Sequence, residues 1–73
     1  MWNFGVLSLL LKRSDISYVK FILEGYDGLG ILTTKDRFAA KAIVTYPMSR
    51  KHTLTKLIDA LVREGVIKEV HET

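Results

Sequence analysis

The run Trp2–Leu11, with the sequence Trp-Asn-Phe-Gly-Val-Leu-Ser-Leu-Leu-Leu, constrains the fold of this chain more than any other segment. From Phe4 onwards it is almost continuously apolar, so a strand formed there has two apolar faces. Such a strand lies in the middle of a sheet and is covered on both sides. The run is too short to span a bilayer, which takes about 20 residues, and it lacks the basic start and small-residue cleavage site of a signal peptide. We therefore predict a central strand in a cytoplasmic protein with no membrane partner.

The first predicted helix follows the basic pair Lys12-Arg13. Ser14 or Asp15 is predicted to cap it, because a short side-chain oxygen can accept hydrogen bonds from the free amides of a first helical turn. Gly25 fits the left-handed position just after a helix. The apolar residues that recur at helical spacing, and so form a core-facing stripe, are Ile16, Val19, Ile22, Leu23 and Tyr26.

The second predicted helix has the clearest amphipathic pattern in the chain. Ser49 is the candidate for its N-cap, and Gly65 is predicted to end it. The apolar stripe of this helix consists of Leu54, Leu57, Ile58, Leu61 and Val62.

The remaining segments predict three further strands. Lys35-Asp36-Arg37 is a polar connection of hairpin length, and Pro47 closes the third strand because it has no amide to donate to a ladder. The predicted strands are Leu29–Thr34, Phe38–Tyr46 and Val66–Val70.

The resulting order, β-α-β-β-α-β, predicts a single α+β domain over residues 1–73. This order is typical of the ferredoxin-like sandwich, which has a four-stranded antiparallel sheet with two helices on one face. We further predict that strands one and three lie side by side at the centre of the sheet and run parallel to one another.

The sheet face turned away from the helices is the first candidate site. Lys41 and Thr45 are expected to face solvent on strand three, and Ser8 on strand one, so the residues that alternate with them share that face. The predicted apolar patch consists of Phe4, Val6, Leu10 and Ile43. Such patches usually mark contact surfaces, and a chain of 73 residues without cysteine has a small core and no disulfide to support it. We therefore predict a homodimer formed through this patch, unless strand one is shifted by one residue, which would turn every side chain over.

A second candidate site, the helix-start edge, follows from the predicted parallel strands, which would bring both helix starts together. A phosphate or carboxylate ligand would offset the unfavourable placement of cations beside helix N-termini. We predict a small anionic metabolite there, with nucleic acid bound through the basic loops as the alternative. RNA-recognition domains stack bases on aromatic residues of the central strands, and strand three offers none on the open face. The residues of the helix-start edge are Lys12, Arg13, Ser14, Ser49, Arg50, Lys51 and His52.

The sequence carries no evident catalytic or metal-binding group. Two distant histidines, His52 and His71, do not supply the three or four ligands of a zinc site in a chain without cysteine. Glu24 and Asp27 flank a turn, whereas acid–base chemistry requires carboxylates that converge on a cleft. We therefore expect a non-enzymatic protein that uses no cofactor and no metal.

The turn Glu24-Gly25-Tyr26-Asp27-Gly28 carries a resemblance to a known family. The segment Ile22–Leu29 looks like the signature of a small prokaryotic family catalogued as domain of unknown function 4911. Ser14–Phe21 is similar to the start of that family's first helix, and Leu32–Thr34 resembles its second strand. The resemblance covers roughly residues 6–64. Since the family has no assigned activity, the resemblance implies no substrate and no catalytic residue.

The predicted order and size also resemble the ACT group of regulatory domains. That resemblance implies dimerisation and the binding of amino acids near the first strand–helix loop. The chain departs from the group there, because Lys12-Arg13-Ser14-Asp15 lacks the glycine-containing loop that is typical of ACT domains. A shared architecture does not give a function, so we expect a regulatory or interaction role without a specified ligand.

Overall fold

Four strands and two helices follow one another in the predicted order in a computed structural model of the chain, which describes residues 3–25 and 28–72. The elements are β1 (Phe4–Leu11), a 3-10 turn (Arg13–Asp15), α1 (Ile16–Gly25), β2 (Ile31–Asp36), β3 (Lys41–Pro47), a second 3-10 turn (Met48–Arg50), α2 (Lys51–Arg63) and β4 (Ile67–Glu72). The α+β ferredoxin-like arrangement is therefore confirmed.

The strands form one sheet in the order β2-β3-β1-β4, so the apolar first strand lies in the centre as predicted. Phe4 of β1 is opposite Pro47 of β3, and Leu10 is opposite Lys41, which makes this pair antiparallel. The predicted parallel arrangement of strands one and three was wrong. The crossover through α1 makes β2 parallel to β1, and the hairpin that follows reverses the direction of the chain, so β3 runs against both.

The core lies between the helices and one face of the sheet. Alternate residues of β1 and β3 point into it, and the apolar stripes of α1 and α2 pack against them. Burial of a leucine or valine side chain of this kind contributes about 1.5–3 kcal/mol. The least exposed residues are Leu11, Val19, Leu23, Leu29, Val44, Leu54 and Ile67, each at 1% or less.

The end of α2 follows the prediction closely. Gly65 takes a left-handed conformation with φ of 81°. Its amide donates to the Val62 carbonyl at 3.0 Å, and the Val66 amide donates to the Leu61 carbonyl at 3.0 Å. These two bonds form a Schellman motif, which satisfies the last carbonyls of a helix and lets the chain turn into a strand. Val62, predicted to belong to the apolar stripe, is 40% exposed and lies at its margin.

The predicted serine N-caps of both helices and the predicted role of Gly25 were wrong. Ser14 lies inside the first 3-10 turn and Ser49 inside the second, and Arg50 precedes α2 without a side-chain capping bond. Within the first turn the Asp15 amide donates to the Lys12 carbonyl at 2.9 Å. This backbone hydrogen bond takes the place of the predicted side-chain cap. Gly25 is the last residue of α1 and is not left-handed.

The connection between β2 and β3 lies further along the chain than predicted. Asp36 Oδ1 accepts hydrogen bonds from the amides of Phe38 and Ala39 at 3.0 and 3.1 Å. Ala40 then adopts a φ of 55°, and its carbonyl accepts from the Leu11 amide at 2.9 Å. This side-chain turn holds residues 37–40 out of the ladder, so β2 extends to Asp36 and β3 begins only at Lys41.

Candidate functional site: the open face of the sheet

The face of the sheet opposite the helices, here called the open face, is built from alternate residues of four strands. In an antiparallel pair, residues directly opposite each other point to the same side. The β1–β3 pairs on the open face are Val6 with Thr45, Ser8 with Ile43, and Leu10 with Lys41. The outer strands add Ile31 opposite Thr45, Thr33 opposite Ile43, His71 opposite Ser8, and Glu69 opposite Leu10.

The apolar side chains predicted for this face lie on it. Phe4 is 52% exposed, while Val6, Leu10 and Ile43 are half-buried by their neighbours. Ile31, which the sequence had not indicated, joins them at 63% exposure. The expected phase of both central strands is therefore the observed one. The role of these residues in dimerisation stays a prediction.

The two ends of the open face differ in chemistry. Phe4, Val6 and Ile31 make one end apolar, whereas the other end carries charged side chains around a shallow cavity of about 380 Å³. The side chains that give this cavity its character are Ser8, Leu10, Lys35, Lys41, Glu69 and His71. The cations lie on β2 and β3 and the carboxylate lies on β4. Side chains of opposite charge therefore lie on opposite sides of the cavity.

His71 and Glu69 form a contact at the β4 side of this cavity. The Nε2 atom of His71 lies 3.0 Å from Oε1 of Glu69, and both side chains are more than half exposed. An ion pair at this exposure contributes little to stability. The contact lies on the open face, because Glu69 is opposite Leu10 and His71 is opposite Ser8.

The residues of the helix-start edge do not come together. Lys12, Arg13 and Ser14 follow the end of β1, which is paired with Lys41 at the start of β3. The second basic loop follows Pro47, which is paired with Phe4 at the opposite end of the sheet. Six residue steps of about 3.4 Å separate these positions by about 20 Å. The prediction of one shared edge was wrong because it depended on parallel central strands.

The second basic loop makes its own local contacts. Lys51 Nζ lies 3.3 Å from Oε1 of Glu72, which joins the start of α2 to the end of β4. Arg50 is half-buried, and its Nε atom has no hydrogen-bond partner among the described residues. Ser49 and His52 are exposed. This loop therefore presents separate surface groups and no shared cavity with Lys12, Arg13 and Ser14.

The first basic loop contributes to a different cavity, here called the basic cavity, of about 280 Å³. It lies between the start of α1 and the end of β2, and its lining residues are Arg13, Ile16, Ser17, Lys20, Thr34 and Arg37. The guanidinium carbon of Arg13 lies 5.3 Å from the centroid of the Phe38 ring, a cation–π distance. Sequence reasoning assigned only Arg13 to a site, because Lys20, Thr34 and Arg37 approach it through the tertiary fold.

The family-signature turn is described in part. Glu24 is exposed and Gly25 ends α1, while Gly28 takes the left-handed conformation with φ of 67°. Tyr26 and Asp27 lie outside the described residues, as does Trp2. Among the described residues of this turn, the left-handed one is Gly28 and not Gly25.

The outer side of α1 is an exposed aromatic surface that was not predicted from the sequence. Tyr18 is 48% exposed and Phe21 is 76% exposed. The available signal was their three-residue spacing outside the stripe that contains Val19 and Leu23, which places both rings on the side of the helix away from the core.

Two further observations concern the described part of the chain. Within residues 3–25 and 28–72, no group of three or more His, Cys, Asp or Glu side chains is placed to hold a metal ion. Neither helix there has the length and apolarity needed to cross a membrane.

Comparison with known proteins gives one finding. A family model described as "Domain of unknown function (DUF4911)" matches residues 10–64, which is most of the chain. Neither the curated proteins nor the solved structures gave a significant match to the sequence.

Proposed function

This chain belongs to the family described as Domain of unknown function (DUF4911), and we propose that it is a non-enzymatic interaction module that pairs with a second copy of itself through the open face. The observation that carries the proposal is the one-sided covering of the sheet. Helices bury one face, while the other presents apolar side chains from three strands, among them Phe4, Ile31 and Ile43. A regulatory role would be exercised through this pairing.

The apolar end of the open face provides the exposed apolar area that a dimer would bury. Phe4 and Ile31 are each more than half exposed; Phe4 lies two residues before the half-buried Val6 on β1, and Ile31 lies on the other side of Thr45 from Val6. Burial of exposed apolar area stabilises association by about 25 cal/mol per Å² before the entropic cost of binding. A chain of 73 residues has a small core. Burial of further apolar surface between two copies therefore adds a comparatively large share to its stability.

The size of the face sets the expected strength of the dimer. Four strands about 4.8 Å apart, each about seven residues long, give a footprint of roughly 450 Å². Stable interfaces bury about 800 Å² on each partner. We therefore expect a reversible dimer whose population depends on protein concentration.

Charge selects the orientation of the second copy. A two-fold axis parallel to the strands and between β1 and β3 reverses the strand order, so β4 of one copy lies over β2 of the other. Glu69 then faces the partner's Lys35, and the apolar ends of both faces meet. An axis perpendicular to the strands would instead place each charged end on an apolar end, which leaves charges desolvated and unpaired. The first orientation is the one we propose.

The direct test is sedimentation equilibrium over a wide range of protein concentration. The wild-type mass is expected to rise from 8.3 kDa towards twice that value. Ile43→Asp places a carboxylate at the centre of the open face, and we expect it to raise the dimer dissociation constant by more than about tenfold. The matched control Val62→Asp makes the same change at a 40% exposed position on α2, away from the open face, and should leave the dissociation constant unchanged.

Two outcomes would refute the proposal. The mass of the wild-type protein could stay at 8.3 kDa throughout the range, or Val62→Asp could weaken the dimer as much as Ile43→Asp does. Far-ultraviolet circular dichroism establishes that both variants are folded before their masses are compared.

A further inference from the structure

We infer that the basic cavity is a binding site for a phosphoryl group. Its lining combines three cations, Arg13, Lys20 and Arg37, with the hydroxyl-bearing residues Ser17 and Thr34. Ile16 is the one apolar member of the lining. This assignment is independent of the dimer, because Thr34 alternates with the open-face residue Thr33 and the cavity lies on the helix side of the edge strand β2.

The cations of the basic cavity have no carboxylate partner among the described residues. Among the described residues, no carboxylate oxygen lies within 4.0 Å of the charged nitrogens of Arg13, Lys20 or Arg37. Three acidic residues are close in sequence, Asp15, Glu24 and Asp36, but none of them lines the cavity, and Oδ1 of Asp36 already accepts two backbone amides. Three like charges around one cavity repel each other, and a bound dianion reverses that repulsion.

The geometry of the cavity favours a tetrahedral, multiply charged anion. Ser17 and Lys20 are three residues apart on one side of α1, and Arg37 approaches from the connection after β2. Arg13 and Phe38 are both exposed, and the guanidinium group lies over the ring at a cation–π distance. Arginine forks and hydroxyl groups together can donate to several phosphate oxygens at once, whereas a carboxylate offers only two oxygens.

A phosphoryl group reaches such a site from two sources. One is a small phosphate monoester, for which a cavity of about 280 Å³ provides room beyond the phosphoryl group itself. The other is the backbone of a nucleic acid, which would continue past the cavity onto Lys12, the cation that precedes Arg13 in the chain. Both share the chemistry that the site recognises, so the experiment separates them.

The test is a titration of isotopically labelled full-length protein followed by amide chemical shifts. Inorganic phosphate and a single-stranded DNA decamer are the two probes, and sodium chloride at equal ionic strength is the blank. We expect saturable shifts in residues 13–20 and 34–37. Arg37→Gln is expected to weaken binding by about ten- to a hundredfold, because it removes one charge-assisted donor. The control Arg63→Gln removes the same charge from the exposed end of α2 and should leave the affinity unchanged.

The two probes distinguish a phosphate monoester from a nucleic acid as the source of the phosphoryl group. The two variants test whether binding takes place in the basic cavity. Saturation by phosphate, lost in Arg37→Gln and kept in Arg63→Gln, supports a site for phosphate monoesters. Tight binding of the decamer with only weak phosphate shifts at the same residues supports the site with nucleic acid as its source. Shifts that match the sodium chloride blank, or an equal loss in both variants, would overturn the assignment.

Discussion

At position 5 the main chain of β1 passes directly beneath an aromatic ring. A β-carbon at Gly5 would lie 2.3 Å from Cζ and 2.4 Å from the hydroxyl oxygen of Tyr46, its partner across the β1–β3 ladder. Tyr46 is only 3% exposed, so its ring cannot move away without disturbing the core. Glycine is therefore required here by close approach and not by backbone conformation.

The Gly5→Ala variant is expected to lower the free energy of unfolding by about 1–3 kcal/mol, because it overpacks the core. Urea denaturation monitored by circular dichroism measures the change. Gly25→Ala is the matched control: among the described residues nothing lies within 4 Å of a β-carbon built there, and Gly25 ends α1. Alanine is expected to stabilise that position by about 0.5 kcal/mol. Equal effects of the two substitutions would contradict the proposed contact with Tyr46.

At the scale of the elements, a single carboxylate determines where β2 ends and β3 begins. Asp36 accepts the amides of Phe38 and Ala39, and the turn that follows brings the Ala40 carbonyl to the Leu11 amide. These bonds join the hairpin to the end of the central strand.

We expect Asp36→Ala to lower the free energy of unfolding by about 1–2 kcal/mol, since it leaves two amides without their acceptor. Asp36→Asn retains a side-chain carbonyl oxygen and should retain most of the stability. Hydrogen exchange at the Phe38 and Ala39 amides reports the same difference locally, with faster exchange in Asp36→Ala. Unchanged exchange in that variant would show that the carboxylate does not hold the turn.

The elements that could be predicted from the sequence are those whose signal is local. The apolar run identified β1 as a central strand, and helical spacing with Gly65 identified α2 and its end. The helix N-caps and the β2–β3 turn could not be predicted in this way, because backbone bonds in 3-10 turns and the Asp36 side chain compete with the expected patterns. The hairpin between β2 and β3 reverses the direction of the chain and makes β3 antiparallel to β1. The prediction of parallel central strands was wrong because it left out this reversal.

The same distinction applies to the candidate sites. Alternation of Ser8, Lys41 and Thr45 was enough to place Ile43 and its neighbours on the open face. The basic cavity combines Arg13, Lys20 and Arg37 from three separate segments, and no spacing in the sequence joins them. Such a site can be identified only from the folded structure, in which the crossover through α1 and the β2–β3 hairpin bring the three segments together.

At the scale of the whole molecule, the proposed orientation of the dimer can be tested through charge reversal. In that orientation Glu69 faces the partner's Lys35 twice, once for each copy. We expect Glu69→Lys and Lys35→Glu each to weaken the dimer severalfold, because like charges then meet across the interface. The double variant should recover most of the wild-type affinity in sedimentation equilibrium at low salt. Additive weakening in the double variant would exclude this orientation while leaving the open face itself untested.

The central claim is that the open face is the surface on which two copies meet. An isotope-filtered nuclear Overhauser experiment on a mixture of labelled and unlabelled protein detects only contacts between copies. We predict intermolecular signals between open-face side chains, with the Ile43 methyl groups of one copy close to the Val6 or Leu10 methyl groups of the other. Intermolecular signals confined to Tyr18 and Phe21 on α1, or none at concentrations where the mass is that of a dimer, would contradict it.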